Sequence, residues 1–345
     1  MCGEIFIFCL KILGILKLVR IGDVNRLNLA CLIIAYSRPQ GIDYLLDVLR
    51  ESAVPRTYIS IDGPRNDNDA LNRSRILEII ERYRRDYNMK IEILSHEINL
   101  GVGAGVISAI DWFFSQESKG IVLEDDLRIS KSFFEYAEVS LSIYEYDPKV
   151  WMVSGTQLFP SSLKLNDCSW TNYPMIWGWA GWSSKWKLMR SSLLQHKKLG
   201  YRHLFNYRYL YWAIGGNRAL SGKVDTWDIP LAFEFYFQKK YCLLPPVNLV
   251  SNAGNDSVAA HTSAGDFPMN MPLDEISKEL HYAQSNRKYV AMSYNQILEK
   301  KIFRISIKHL LLPIRAVLMD FYRFPKSKRR APLESRLKQD VFNQL

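Results

Sequence analysis

The chain has 345 residues, 45 Lys+Arg against 35 Asp+Glu, and a formal net charge of +10. That charge sits at the ends: from Lys300 onward the chain carries +9, residues 1–26 carry +2, and the stretch between them is −1. A nucleic-acid enzyme spreads a basic footprint over its folded face, so a neutral body with basic ends argues against a nucleic-acid partner and for a body held at an anionic membrane surface.

In chain order, Ile5–Val19 is apolar but interrupted by Lys11 and Lys17. It is shorter than the roughly 20 residues that span a bilayer, and it lacks the basic flank and small-residue cleavage site of a signal peptide. The expectation is an interfacial amphipathic helix within an N-terminal segment, residues 1–27, with a plain docked helix or a short membrane anchor as the alternatives. The chain then alternates. Leu29–Ala35, Thr57–Ile61, Ile91–Leu94, Gly120–Leu123 and Trp151–Ser154 read as buried strands. Between them Ile42–Arg50, Asp69–Tyr87, Val106–Ser115 and Ser132–Tyr144 have helical spacing. Such alternation predicts an α/β fold with a mostly parallel, Rossmann-like central sheet and helices on both faces.

Past Gly155 the texture changes. Trp170–Trp186 is dense in aromatics and poor in periodicity, Asp225–Gln238 reads as a helix, and Pro245–Ser251 as a short strand leading toward His261. A polar connector follows Asp266, and Ile297–Tyr322 reads as a basic, apolar helix. The expected organisation is a catalytic domain over 28–265 and a connector with a helical, membrane-associating extension over 266–345. The five cysteines are scattered with no C-x-x-C, which fits a reducing compartment.

The strongest chemical signal is Glu124-Asp125-Asp126, at the end of an apolar strand. In open α/β sheets ligands bind beyond the carboxyl ends of strands. Three adjacent acids repel unless a cation compensates them, and Mg²⁺ or Mn²⁺ takes one or two carboxylates plus substrate phosphate oxygens. The run Asn99-Leu-Gly101-Val-Gly103-Ala-Gly105 could cradle phosphate on backbone N–H groups at a helix start. It fails the dinucleotide fingerprint because Val106 and Ser108 stand where glycine is needed, which leaves a nicotinamide enzyme a minor alternative beside a ligand-free turn. Asp225 and Asp228 flank Trp227 and read either as a general base or as helix caps. The tryptophans at 177, 179, 182 and 186 read mainly as core, with one or two lining an acceptor cleft.

Taken in order, Ile33–Arg38, Ser60–Pro64, Asn99–Gly101, Val122–Asp126, Phe133–Tyr136, Val153–Gly155, Trp177–Trp179, Thr226–Asp228 and Asn252–Gly254 running to His261-Thr262 resemble the nucleotide-sugar glycosyltransferases of GT-A fold. The likeness is to the N-acetylglucosaminyltransferase I-like group and its bacterial relatives acting on surface polysaccharides. It implies a UDP-sugar donor, a divalent metal, and a glycan or lipid-linked acceptor; the basic ends, for their part, lead to the expectation of a peripheral place at the cytoplasmic face of the inner membrane. By the same resemblance Arg38 and Asp62 contact the nucleoside, with Asn99 and Gly101 beside it. Asp126 ligates the metal with His261 near the diphosphate, and Glu124 and Asp125 hold ribose, sugar or water. Asp228 is the base with Asp225 as substitute, and Trp177 and Trp179 serve the acceptor. A sugar nucleotidyltransferase would share the sheet and acidic site but needs a glycine-rich basic loop where Ala-Tyr-Ser-Arg-Pro-Gln stands. A non-catalytic, membrane-bound carbohydrate-binding protein is the alternative of another class.

Overall fold

The computed structural model describes residues 17–20, 27–160, 167–194, 205–253, 269–276, 279–282, 287–311 and 331–337. Its first element, β1 (Lys17–Arg20), is a strand paired antiparallel with a late one. The tail of the run expected to be an interfacial helix is therefore extended there, and residues 1–16 lie outside the described residues.

The body follows the predicted alternation: β2 (Ala30–Ala35), α1 (Pro39–Glu51), β3 (Thr57–Ile61), α2 (Asp67–Tyr87), β4 (Ile91–Ser95), α3 (Gly101–Gln116), β5 (Lys119–Glu124), β6 (Leu127–Ile129), α4 (Ser132–Tyr144) and β7 (Val150–Ser154). Then come β8 (Ser169–Thr171), β9 (Trp179–Trp182), α5 (Ser183–Leu194), α6 (Tyr207–Leu220), α7 (Asp228–Gln238), β10 (Tyr241–Leu244), β11 (Val250–Asn252), β12 (Glu279–Tyr282), α8 (Arg287–Lys301) and a 3-10 turn at Ile307–Leu311.

Eight strands form the central sheet in the order β4-β3-β2-β5-β9-β7-β10-β8. The first four are parallel, β9 runs against both its neighbours, β7 and β10 are parallel to each other, and β8 closes an edge antiparallel to β10. This is a Rossmann-like, mostly parallel α/β sheet. The period of two along each strand divides the core. Cys31, Ile33 and Ala35 of β2 meet α1, α2 and α4 on one face, while Ala30 and Leu32 meet α3, α5 and α7 on the other.

The sequence reading missed β6, β8, β9, α5, α6, β10 and β12. Trp170, Trp179 and Trp182 are at most 2% exposed: they sit in β8 and β9, short strands buried on both faces, where alternation vanishes. Residues past 265, expected as a connector and membrane-associating extension, also supply core: Tyr294, Leu298, Ile305, Leu333 and Leu337 pack on the α3 face. Of the helix expected over Ile297–Tyr322, α8 and the 3-10 turn cover the first part; 312–330 lie outside the described residues. No helix among the described residues is long and apolar enough to cross a membrane.

Candidate active site

The ends of β2, β3, β4 and β5 open onto one cleft of about 410 Å³. Its lining includes ten residues singled out from the sequence: Arg38, Asp62, Asn99, Gly101, Glu124, Asp125, Asp126, Trp177, Asp225 and Asp228. Strands whose carboxyl ends share one edge bring them together although they are far apart in the chain.

The acidic floor is set by β5. Its parallel register with β2 puts Glu124 beside Ile34, and the chain turns through Asp125 and Asp126 into β6. Asp125 is 4% exposed and bound on both oxygens: Tyr36 N donates at 2.9 Å and Arg38 Nη1 at 2.8 Å. It therefore fixes the end of β2 and orients Arg38, whose guanidinium also stands 3.6 Å from Asp126. Helix α1 seals the turn from behind, and a Cβ on Gly41 would come within 1.8 Å of the Asp125 carbonyl oxygen.

Glu124 and Asp126 are held in costly states. Burial first, then Asp126, Asp125 and Asp228, push the Glu124 carboxyl well above its usual range. Burial and Asp125 push Asp126 up to about 6, against the pull of Arg38 and a hydrogen bond from Asn252. Asp126 Oδ1 is buried without a hydrogen-bond partner. Among the described residues no group of three or more His, Cys, Asp and Glu side chains is gathered as a metal cage. The donor set instead fits a hard divalent cation bound by one or two carboxylates and completed by substrate phosphate oxygens.

The glycine run forms the first turn of α3, with Gly101 at φ 79°. Its N–H groups are not open to a phosphate. Asp62 accepts from Leu100 N at 2.8 Å and Gly101 N at 3.1 Å; Asp225 accepts from Val102 N and Gly103 N, each at 3.1 Å. Asp62 also accepts from Gly63 N and Asn99 Nδ2. Its four bonds make it a turn-fixing group rather than a free nucleoside contact, and burial, the largest influence on it, raises its pKa. Asp225 carries in addition the guanidinium of Arg336, at 2.9 Å. Oδ1 accepts from Gly103 N and Arg336 and Oδ2 from Val102 N, so Asp225 holds the turn together.

Asp228 opens α7, where the helix dipole favours its negative charge. Thr226 Oγ1 and Ile229 N both donate to Oδ1, the latter at 2.9 Å. Oδ2 carries neither bond, and the residue faces the cleft.

Two expectations do not fit. Trp179 is 1% exposed, packed against Phe114, Trp186 and Trp227, and absent from the cleft lining. It is a core residue, whereas Trp177 does line the cleft. His261 lies outside the described residues. The cleft also includes Tyr36, Arg65, His96 and Asn252, which had no assigned role. Arg65 covers the Tyr36 ring at 4.5 Å, and Tyr36 O–H donates to Asp69. Their signal was position alone: Tyr36 stands just past β2, Arg65 just past the Asp-Gly-Pro turn, His96 just past β4. Asn252 reaches the floor because β11 pairs with β6, with Asn252 opposite Leu127.

No known protein family matches the chain by sequence, and no curated protein matches it. By structure the chain is similar to a mannosyltransferase from Pyrobaculum calidifontis in complex with GDP-Man and Mn²⁺, at TM-score 0.38 and 10% identity over 98% of this chain and 91% of that one. It is also similar to a UDP-glucose pyrophosphorylase complexed with UDP-glucose, at TM-score 0.31 and 10% identity over 63% and 89%. A third similar structure is a putative glucose-1-phosphate thymidylyltransferase from Bacillus anthracis, at TM-score 0.34 and 8% identity over 66% and 89%. At TM-scores of 0.31 to 0.38 these likenesses carry no functional conclusion.

Proposed function

We propose that the protein is a metal-dependent inverting glycosyltransferase. It moves a sugar, N-acetylglucosamine or a related hexose, from a UDP-sugar to a glycan or glycolipid acceptor in surface polysaccharide synthesis. The observation that carries this is the pairing, in one cleft, of Asp126, whose buried Oδ1 has no partner, with Asp228, whose two hydrogen bonds both fall on Oδ1.

Asp126 would hold Mn²⁺ or Mg²⁺, with Glu124 beside it. When bound, the cation supplies Lewis-acid neutralisation of charge growing on the departing diphosphate. The protein's own part is positioning and proton transfer. Arg38, oriented by Asp125, brings positive charge to the donor side of the floor. Asp228 Oδ2 accepts the proton of the acceptor hydroxyl while that oxygen bonds to the anomeric carbon and the diphosphate leaves from the opposite face. One displacement inverts the configuration. General-base assistance of this kind supplies roughly 10²–10⁴-fold, and Trp177 offers a flat face to an acceptor sugar.

A nucleotidyltransferase is disfavoured by a specific feature. Tyr36-Ser37-Arg38 leads directly into α1, whose first residue is Pro39, leaving no glycine-rich loop over a triphosphate. The decisive assay is UDP release from a panel of UDP-sugars with Mn²⁺, with and without lipid-linked glycan acceptors. Acceptor-dependent UDP release is expected; release of pyrophosphate from a nucleoside triphosphate and sugar phosphate would instead establish the nucleotidyltransferase. The basic ends support placement at the cytoplasmic face of the inner membrane. Co-sedimentation with anionic vesicles should weaken with salt and with joint replacement of Lys326, Lys328, Arg329 and Arg330 by Gln, and behaviour independent of both rejects that placement.

A further inference from the structure

A C-terminal segment, residues 331–337, reaches the rim of the cleft. Leu333 is fully buried and Leu337 is 6% exposed, both in the core layer that contains α3. These two anchors turn Arg336 inward, where it is 8% exposed. Its Nη1 donates to Leu100 O at 2.9 Å and to Asp225 Oδ1 at 2.9 Å. Its Nη2 lies 3.3 Å from the place a Cβ on Gly103 would take, and its Nε is buried without a hydrogen-bond partner. Burying a guanidinium with one N–H unpaired is unfavourable unless the remaining contacts compensate. Here they join the turn that opens α3 to the stretch that ends at Asp228. Arg336 itself is not part of the cleft lining.

We infer that Arg336 is a positioning residue for the donor site. It clamps Leu100 to Asp225 and so holds the Asn99–Gly103 turn, and Asp228 three residues beyond Asp225, in one geometry. The electrostatics point the same way. Asp225 borders a cleft that already holds Glu124, Asp125, Asp126 and Asp228. The Arg336 charge offsets Asp225, so that carboxylate can hold the Val102 and Gly103 amides without adding repulsion toward a diphosphate. The kinetic consequence rests on the glycosyltransferase reading; the structural one does not.

The test uses the full chain with Arg336→Met, Arg336→Lys, Asp225→Asn and the Arg336→Met/Asp225→Asn double variant. Two readouts are taken: steady-state kinetics with the UDP-sugar, and amide hydrogen exchange at residues 100–103. Arg336→Met should raise the donor KM and lower kcat/KM at least tenfold, with faster exchange at 100–103 and unchanged exchange in β2 and β3. Arg336→Lys should recover part of both, and the double variant should match Asp225→Asn. A folded Arg336→Met with kcat/KM within twofold of wild type and unchanged exchange overturns the inference. So does a loss that adds in full to that of Asp225→Asn. If Arg336→Met does not fold, Arg336→Lys is decisive: a loss of about threefold or more in kcat/KM supports the clamp, and none overturns it. A wild type that releases no UDP from any donor refutes the proposed function, and the exchange readout then decides the clamp by itself.

Discussion

Asp62 and Asp225 between them accept all four amide N–H groups that open α3, two each. A helix start normally leaves such donors to water, a side-chain cap or an anion. Here two carboxylates from distant segments take that place, which ties the end of β3 and the approach to α7 to one turn. Replacing Asp62 by Ala orphans Leu100 and Gly101 together. It should lower stability by about 2 kcal/mol, read as a lower urea midpoint at unchanged slope. An unchanged midpoint would show that water replaces the carboxylate at no cost.

The two candidate bases should separate cleanly. Asp225→Asn breaks the partly buried pair with Arg336 and should cost about 1–3 kcal/mol of stability. Asp228→Asn should leave the urea midpoint within about 0.5 kcal/mol while lowering turnover by roughly 10²–10⁴-fold at unchanged UDP affinity. Turnover lost in Asp225→Asn alone would assign the base to that residue instead.

Asp126 should show function opposed to stability. Its charge is held in a buried, acidic place with one oxygen unpartnered. Asp126→Asn should stabilise the metal-free protein by about 1–3 kcal/mol at pH 7.5 while abolishing transfer. Mn²⁺ should raise the melting temperature of wild type and not of the variant. An equal Mn²⁺ shift in both proteins would place the cation elsewhere.

Gly41→Ala tests how tightly the acidic turn is backed. The added methyl would meet the Asp125 carbonyl oxygen at 1.8 Å, so α1 or the turn must move. A loss of about 3 kcal/mol, with weaker Mn²⁺ binding, is expected in calorimetry. A variant as stable as wild type would mean that α1 shifts away freely.

Lys185 lies away from the cleft and makes stability depend on pH. Its Nζ donates to Tyr144 O at 2.6 Å and stands over the Trp182 ring, and burial pushes its pKa from 10.5 down to about 7. Between those values the unfolded chain holds a proton that the native one has released. Stability should therefore fall as pH drops from about 10.5 to about 7 and level off below. Lys185→Met should remove that slope, as urea titrations at pH 7 and 9.5 would show. Parallel slopes in both proteins would mean the buried amine stays charged.

The alternation of apolar runs with amphipathic stretches made β2, β3, β4, β5 and β7 legible, because a strand covered on both faces must be continuously apolar and a covering helix must carry a stripe. The strand-end acids were legible as candidate site residues for a local reason: three adjacent carboxylates repel whatever the fold around them. β8, β9 and β10 were not legible, since strands of three or four residues buried on nearly every position carry no alternation. Trp177 and Trp179 show the limit: two residues apart, one lines the cleft and one fills the core.

By itself the sequence determined the α/β layering and the acidic strand end, both of which follow from local pattern and charge. Only the tertiary structure decided which carboxylates are engaged by the fold's own donors. Asp62, Asp125 and Asp225 are engaged by backbone N–H groups and guanidinium ions from distant segments. Asp126 keeps one oxygen without a partner, and both recorded bonds to Asp228 fall on a single oxygen. Hydrogen bonds across such chain separations leave no periodic trace, so an acid that caps a turn and an acid placed to take a proton look alike until the chain folds.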